Sequence, residues 1–439
     1  MTDTSSVHPR AFHLSWFLNY GVDEWNDPWA SGGGNLDGSF YVDVARMLER
    51  AGFDFVLIED KVAISETYGG SRDHDLKHAL APKLDPAPLA TLIAAGTERL
   101  GVVPTLSTSF YPPYLLARLT STIDHISHGR AGWNIVTSGE DLAARNFGLD
   151  ALHEHDHRYE RAEEYVELAK QLWDSWEPDA IIRDRTTNTY ADPSKVHAID
   201  FEGHFHRSRG PLNTARSPQG RPVLCQAGAS PRGRAFAARH ADVIVAVAVS
   251  PEEMREFRDD IRARVAAEGR HPDTCKVLFI VAPIIADTME EARARQDRLL
   301  DNPQFAERVL VMISSISGVD FSQFDLDAPV PDDVRTNGER GSLAQWLRKG
   351  AGKTLREHAR RGLDDGVELV GTAAHVAARM GEVMEIAGGD GFLITSPVNR
   401  LNRRYVIEIT EGLVPELQRR GLARTEYSSP LFRDNLLAF

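Results

Sequence analysis

Cysteine is scarce in this chain, which has only Cys225 and Cys275 among 439 residues. The two follow no pairing pattern, which favours a reducing compartment over an oxidising one. Long apolar runs are also missing, since none reaches the roughly 20 residues that span a bilayer. Residues 1–9 are polar and lack the charged start and apolar core of a signal peptide. We therefore expect a cytoplasmic protein without a membrane-spanning segment.

Positive charge is in deficit, with 50 Lys and Arg against 64 Asp and Glu and a net charge of -14. No long basic run offsets this balance, so the sequence predicts no binding to a nucleic-acid backbone. Hydrophobic residues make up 42% and charged residues 26%, as in ordinary soluble enzymes. The length exceeds that of a typical single core, but one barrel with insertions can reach it.

Short apolar and β-branched runs alternate with amphipathic stretches along the chain, as in proteins with parallel strands joined by helices. The predicted strands are 12–18, 53–59, 100–106, 131–137, 222–227, 241–249, 276–285 and 391–395. The predicted helices are 42–51, 88–97, 113–127, 157–176, 231–240, 252–268, 289–300 and 373–387. Eight such units predict an α/β fold, a (β/α)8 TIM barrel, with residues 1–439 as a single domain.

Two stretches do not fit plain barrel repeats. Residues 179–221 are rich in polar residues, glycine and proline, which predicts an extended surface insertion. Residues 314–371 combine turns with a helix around 343–361. A long insertion on one side of a barrel is often a lid, so the second stretch is the lid candidate.

In a barrel of this kind, chemistry is carried by residues at the carboxyl ends of the strands. The residues expected there are Trp16, Asn19, Glu59, Asp60, Thr105, Ser107, Thr108, Asn134, Thr137, Ser138, Gly228, Ala229 and Ser230. Few of them titrate, whereas a hydrolase would usually show an acid/base pair. This composition fits a reaction whose hard step belongs to a cofactor.

The segment 228–233 (GASPRG) ends a predicted strand and opens a predicted helix. Backbone N–H groups at such a helix start favour an anion such as phosphate. A P-loop is excluded, because Arg234 and Ala235 follow Gly233 where lysine and serine or threonine are required. The alternative is a plain helix start capped by Ser230, and the residues alone do not decide between the two.

Three histidines lie in the segment 153–157 (HEHDH), which looks like a metal cluster. Histidines spaced by two before a helix cannot all face one tetrahedral ion, so the pattern does not favour zinc. A second interpretation, without any ligand, is a solvated helix start with Asp156 as its cap. A third is anion binding by His155 and Tyr159, which are four residues apart and share a helical face.

Glycines 32–34 and Gly38 weakly resemble a dinucleotide-binding loop. No predicted strand precedes them and no predicted helix follows directly, so the context of that fingerprint is missing. We interpret the segment as a flexible loop. Trp25 and Trp29 beside it are expected to pack, although a loop after the first barrel strand faces the active site.

Several motifs together resemble one known family. Residues 128–138 (HGRAGWNIVTS), 144–148 (ARNFG) and 155–159 (HDHRY) are similar to those of the nitrilotriacetate monooxygenase family. These are two-component, FMNH2-dependent monooxygenases of the bacterial luciferase-like superfamily. Further landmarks follow in family order at 111–114, 209–212, 216–220, 226–228, 390–392, 414–421 and 424–427. Each landmark is weak alone, and together they are specific.

The resemblance implies a TIM barrel that binds FMN without a covalent bond. A separate NAD(P)H:flavin reductase would supply FMNH2, and O2 would then oxidise a small organic substrate. By position, Asp60, Thr105, Asn134 and Thr137 would border the flavin ring, with Asn134 and Thr105 catalytic. His155, Tyr159, Ala229 and Ser230 would hold the phosphate, and no metal is implied. Serine often stands in the family where this chain has Ala229.

The resemblance is closest to sulfone-cleaving members, so an aromatic or heterocyclic substrate is expected. A riboflavin-degrading lyase of the same family, an aminopolycarboxylate monooxygenase and an F420-dependent oxidoreductase remain alternatives. The sequence does not separate oxygen transfer at flavin C4a from transfer at N5. Family members are commonly dimers or tetramers, which implies a homo-oligomer.

Overall fold

The computed structural model describes residues 11–18, 21–22, 36–331, 333–362, 366–397 and 400–439. Its centre is a closed barrel of eight parallel strands. They are β1 (His13–Leu18), β2 (Phe55–Ile58), β3 (Gly101–Ser107), β4 (Gly132–Val136), β5 (Val223–Ala227), β6 (Val243–Ala246), β7 (Lys276–Val281) and β8 (Gly391–Ile394). They follow in chain order around the barrel, and β8 pairs with β1. The predicted (β/α)8 barrel is confirmed.

The barrel closes because its strands are apolar on both faces. Alternate residues point inward, and a cluster including Phe55, Val103, Val243 and Leu278 fills the interior. Phe432, from the C-terminal segment, joins this cluster and lies 5.3 Å from the ring of Phe55. The barrel is therefore a packed core, and ligand space is left at one end.

Helices surround the barrel and pack on its outward-facing residues. They are α1 (Gly38–Arg50), α2 (Pro86–Gly96), α3 (Pro113–Ile126), α4 (His155–Trp173), α5 (Pro231–His240), α6 (Pro251–Ala267), α7 (Met289–Leu300), α8 (Pro303–Ser317), α9 (Arg340–Gly350), α10 (Leu355–Ala359) and α11 (Ala373–Ala387). Shorter helical segments are Asp73–Lys77, Asp141–Asn146, Arg403–Ile407, Glu408–Leu413, Val414–Arg419 and Phe432–Leu436. No helix in the described ranges is both long and apolar enough to cross a bilayer.

Two boundaries differ from the sequence-based prediction. Helix α1 begins at Gly38, directly after the glycine-rich loop, because Asp37 accepts a hydrogen bond from the amide of Ser39 and caps it. The statement that no helix follows those glycines was therefore wrong. The strand predicted over 276–285 ends at Val281, and Ile284–Ile285 pairs instead with Val370–Gly371. Pro283 lies at the break and cannot donate to a ladder.

Both insertions have structure of their own. The stretch 179–221 contains two antiparallel hairpins, Ile181–Asp184 with Thr189–Ala191 and Phe201–Glu202 with Arg207–Ser208. The second insertion contains α9 and α10 where one helix over 343–361 was predicted. Its start overlaps the end of α8, which begins before the insertion at Pro303 and was not predicted. These three helices share an apolar core that includes Ile313, Phe321 and Trp346.

Candidate functional site

A cavity of about 340 Å³ opens at the carboxyl ends of the barrel strands. This volume lies in the range of small-molecule sites. Residues following β2 to β6 form its floor and walls, and residues of α8 and α9 form its roof. The lining includes all eight residues predicted to bind the cofactor: Asp60, Thr105, Asn134, Thr137, His155, Tyr159, Ala229 and Ser230.

One wall of the cavity is an uncharged polar pair on neighbouring strands. Thr105 on β3 and Asn134 on β4 are partners in the strand register, so their side chains point the same way. The Asn134 Nδ2 donates to Thr105 Oγ1 at 2.8 Å, and both residues are buried. Asn134 Oδ1 has no partner among the described residues. A buried acceptor of this kind is costly unless a ligand donates to it.

The next part of the lining, after the neighbouring strand β5, combines a helix start with a tyrosine hydroxyl. Ser230 caps α5, and its Oγ accepts from the amide of Gly233 at 3.0 Å. A Cβ at Gly233 would lie 3.0 Å from the Tyr159 hydroxyl, so glycine here lets Tyr159 approach the helix start. Burial raises the pKa of Tyr159 to about 12, which keeps its hydroxyl a donor. The predicted cap is confirmed, and the donors converge where an anion is favoured.

The loop before α9 closes over this helix start. A Cβ at Gly341 would lie 3.1 Å from the amide nitrogen of Ser230 and 3.5 Å from the Cβ of Ala229. Asn337 holds the loop to the start of α4, because its Oδ1 accepts from the His155 amide at 3.0 Å. Arg158 donates from one Nη to the carbonyl of Asn337 at 2.9 Å. The roof is therefore fastened to the same helix that carries Tyr159.

The histidine segment does not build a metal centre. No group of three or more His, Cys, Asp or Glu side chains in the described ranges has metal-binding geometry. The interpretation of Asp156 as the cap of α4 was wrong: Glu154 takes that position, and the Asp156 carboxylate instead bonds His155 Nδ1 at 2.7 Å. His155 and Tyr159 do share a helical face, with ring centroids 5.1 Å apart. Burial lowers the pKa of His155, which favours the neutral ring.

Several polar residues of the cavity were missed by sequence reasoning, and Gln226 and Arg158 are two of them. Gln226 on β5 is buried, and its Nε2 lies 3.5 Å from the Tyr159 hydroxyl while its Oε1 has no partner among the described residues. A Cβ at Gly228 would lie 2.2 Å from Gln226 Nε2, so the glycine makes room for the amide. Arg158 is also buried and lines the cavity. Gln226 and Arg158 belong to the family motifs 226–228 and 155–159, but nothing in the sequence of these motifs indicated that they line the cavity.

Four carboxyl groups also line the cavity: Glu59, Asp60, Glu140 and Glu339. Burial, with the nearby Asp85 carboxylate, raises the pKa of Asp60 to about 7. Burial also raises the pKa of Glu140 to about 7, against the opposing effects of Lys61 and of a hydrogen bond from Ser315 Oγ. Glu140 was not predicted, because it follows a strand end by several residues and reads as a solvated helix start.

Some residues expected at the strand ends lie elsewhere. Trp16 is fully buried and packs in the core against Phe53 and Tyr405, so its placement at the site was wrong. Thr108 is not part of the lining, and its hydroxyl donates to the carbonyl of Val136. Glu59 does line the cavity and pairs with Lys83. Asn19, Trp25, Trp29 and glycines 32–34 lie outside the described residues.

The chain is similar over most of its length to known proteins. Residues 15–391 match the family described as luciferase-like monooxygenase. Dibenzothiophene-sulfone monooxygenase of Rhodococcus erythropolis (strain XP) is 37% identical over 448 residues, 99% of this chain and 97% of the relative. Nitrilotriacetate monooxygenase component A of Aminobacter aminovorans is 36% identical over 94% of this chain and 92% of its own. A solved riboflavin lyase with modified FMN and riboflavin superposes with a TM-score of 0.88 at 34% identity, covering 98% and 96% of the two chains.

Proposed function

Because this chain belongs to the luciferase-like monooxygenase family, a family of flavin-dependent monooxygenases, we propose that it uses FMNH2 and O2 to oxidise a small neutral organic molecule. The proposal rests on one observation. A single cavity contains both an anion-favouring helix start at Ser230 and an uncharged wall at Asn134. FMN needs both features, because it has a phosphate at one end and a neutral ring at the other. We expect an aromatic or heterocyclic substrate, because apolar residues such as Ile135, Ile313 and Trp346 also line the cavity.

The residues present fit the cofactor by their chemistry. Ser230 and the amides that begin α5, with Tyr159 and His155, would hold the phosphate. Alanine at 229 removes a hydroxyl, but the backbone N–H donors of the loop do not depend on the side chain. Asn134 Oδ1 is an acceptor without a hydrogen-bond donor among the described residues, and the N–H edge of a reduced flavin would supply one.

Bound FMNH2 would supply the electrons that activate O2. The chain's own contribution is then binding, orientation and exclusion of water. Thr105 fixes the rotamer of Asn134, and residues of α8 and α9 cover one side of the cavity, which would limit the access of water. We propose that residues 314–371, which include the last residues of α8, act as the lid.

Reduced flavin would come from a separate NAD(P)H:flavin reductase. This part of the proposal is supported by the relative named as component A of a monooxygenase and by the paired subunits A and B of pristinamycin IIA synthase, both of which are similar to this chain. The dimer or tetramer expected from the sequence stays a prediction.

Anaerobic titration of the purified chain with FMNH2 tests the proposal. Binding at micromolar concentration is expected, followed by substrate oxidation when a generic flavin reductase, NADH and O2 are added. An absence of FMNH2 binding at these concentrations would end the proposal. Binding without any turnover across neutral aromatic sulfones would instead favour a flavin-binding role without catalysis.

A riboflavin lyase is the second candidate, because the solved lyase superposes over 98% of this chain. Aerobic incubation with FMNH2 and riboflavin separates the two, since a lyase consumes the riboflavin. An F420-dependent oxidoreductase would bind a deazaflavin and reduce its substrate without O2, which an anaerobic deazaflavin titration detects.

A further inference from the structure

Glu140 occupies a position that its own helix does not explain. It precedes the helix Asp141–Asn146 at the capping position, yet its side chain makes no capping hydrogen bond. The carboxylate is instead turned into the cavity, where Oε1 accepts from the Oγ of Ser315 on α8. Ser315 is buried, so this contact joins the strand-end wall to the roof. The carboxyl group of Glu140 therefore lies between the wall and the roof of the cavity.

The charges around Glu140 do not neutralise it. Lys61, the nearest cation, lies 2.5 Å from Asp75 and is paired with it. The other carboxylate that influences Glu140 is Glu339, on the roof, which adds further negative charge. No ion pair to Glu140 exists within the described ranges, and Asp60, another carboxyl of the lining, likewise has none there.

Apart from Lys61, the positive side chains of the lining lie in other parts of the cavity. Arg158 is held between the carbonyls of His153 and Asn337, beside the start of α4. Arg340 lies 3.7 Å from Asp156, at the same end. Lys349 lies near the end of α9 that passes β6, where Gln345 donates to the carbonyl of Val247. Arg158 and Arg340 thus lie near the proposed phosphate end, whereas Asp60 and Glu140 follow β2 and β4.

We infer that Glu140 is a charge filter of the substrate space, which admits neutral substrates and excludes those carrying a carboxylate beside the oxidised atom. The inference rests on the proposed function, because it takes the FMN phosphate to fill the cationic end. What remains for a substrate is bounded by Ile313 and Ile316 on α8, by Ala143, and by the carboxyl groups of Asp60 and Glu140. An anionic substrate group placed there would face like charge at low dielectric, which is unfavourable.

The filter should strengthen as pH rises. Glu140 has a pKa raised to about 7 by burial, so it is mostly neutral below that value and ionised above it. Asp60 ionises in the same range and adds to the effect.

The test uses the FMN-loaded full chain and two matched probes, methyl phenyl sulfone and 4-(methylsulfonyl)benzoate, with binding followed by the absorption spectrum of bound FMN. The benzoate is ionised throughout, because a carboxyl of this type has a pKa of about 4. The wild type should bind the neutral probe equally at about pH 6 and about pH 8.5, and the benzoate roughly ten-fold more weakly at the higher pH.

Three variants sharpen the result. Glu140→Gln keeps an acceptor for Ser315 but removes the charge, and at about pH 8.5 it should bind the benzoate roughly five-fold tighter than the wild type, with Asp60 maintaining part of the pH effect. Ser315→Ala removes the donor that favours the ionised form, so the loss of benzoate binding should begin at a higher pH. Glu256→Gln, the same change on an exposed face of α6, should alter neither probe.

Benzoate binding that is independent of pH, or that is equal in the wild type and in Glu140→Gln, would overturn the filter. The proposed function would still stand in that case, because the protein binds FMN. An FMN-loaded protein that takes neither probe would also overturn it. A chain that takes no FMN would overturn both. The wild-type pH series decides the question even where a variant does not fold.

Discussion

Asn134 and Thr105 meet across two neighbouring barrel strands, where the Asn134 amide donates to the Thr105 hydroxyl at 2.8 Å. The bond uses the Nδ2 of Asn134 and fixes its rotamer, so Oδ1 is presented to the cavity without a partner in the described structure. Thr105 in turn keeps its own hydroxyl proton for a ligand, because its oxygen acts here as acceptor. The pair therefore offers one acceptor and one donor at a fixed spacing.

Replacing Asn134 with alanine should retain the fold and impair oxygenation. We expect turnover with a generic reductase to fall roughly 10- to 100-fold, because a preorganised hydrogen-bonding group is lost, with a smaller loss of FMN affinity. Asn146→Ala is the control, since Asn146 is exposed and its amide bonds only the carbonyl of Val62 among the described contacts. Wild-type turnover in Asn134→Ala would remove Asn134 from the mechanism.

Tyr159→Phe separates recognition of the phosphate from recognition of the ring. We expect FMN to bind roughly five- to ten-fold more weakly, while riboflavin, which lacks the phosphate, binds as before, because only one hydrogen bond to the anion is lost. Equilibrium titration by flavin fluorescence measures both. Tyr165→Phe on the same helix is the matched control: its hydroxyl bonds the carbonyl of Tyr111, so stability and not FMN affinity should change. Equal losses for FMN and riboflavin would contradict the assignment.

Ala229→Ser tests the proposed phosphate end of the cavity by adding a hydroxyl group. Ala229 precedes the α5 cap and lies beside Gly341 of the roof. A hydroxyl there should tighten FMN by roughly three- to ten-fold through one more hydrogen bond to the phosphate, and leave riboflavin unchanged. Weaker FMN binding in Ala229→Ser would show that the loop already lacks room for the side chain.

The barrel was predictable from the sequence because every strand is a short apolar run buried on both faces, as in Val223–Ala227. Helix starts were harder. Asp156 has the composition of a cap, but its carboxylate bonds the ring of the adjacent His155 instead, and composition does not distinguish the two arrangements. Trp16 ends a strand in the sequence, yet its side chain faces the helices rather than the cavity.

The cavity was predictable where a strand end or a motif indicated it. Residues such as Asn134 and Ser230 were expected from their strand-end positions and from the resemblance, and all eight predicted binding residues lie in one lining. Glu140 and Gln226 could not be found in this way, because their role depends on which neighbours they face. Ser315, which meets Glu140, is 175 residues further along the chain. Contacts across such a separation leave no local trace in a single sequence.

The fastening of the roof gives a prediction about coupling. In Asn337→Ala the roof loses the hydrogen bonds from the His155 amide and to the His153 carbonyl, whereas the backbone contact to Arg158 remains. A looser roof admits water, so we expect peroxide released per NADH consumed to rise a few-fold, measured with a peroxidase-coupled assay. Asn337→Asp keeps the acceptor for His155 and should be milder. Unchanged peroxide release in Asn337→Ala would argue against a sealing role for this loop.

Asp60 gives a prediction about stability against pH. Burial and Asp85 raise its pKa from 3.8 to about 7 in the folded chain, so folding favours the neutral acid. The stability that the neutral acid contributes is present below 3.8 and is lost as pH rises through about 7.

Asp60→Asn stays neutral at every pH. Its free energy of unfolding should therefore exceed that of the wild type by a margin that widens from about pH 5 to about pH 8, by on the order of 1–2 kcal/mol after allowance for partial exposure. Urea unfolding at both pH values measures the margin, and Asp259→Asn, on the exposed face of α6, should show no widening. A constant margin for Asp60→Asn would mean that the folded protein leaves this carboxyl ionised, and the cavity would then be more polar than its lining indicates.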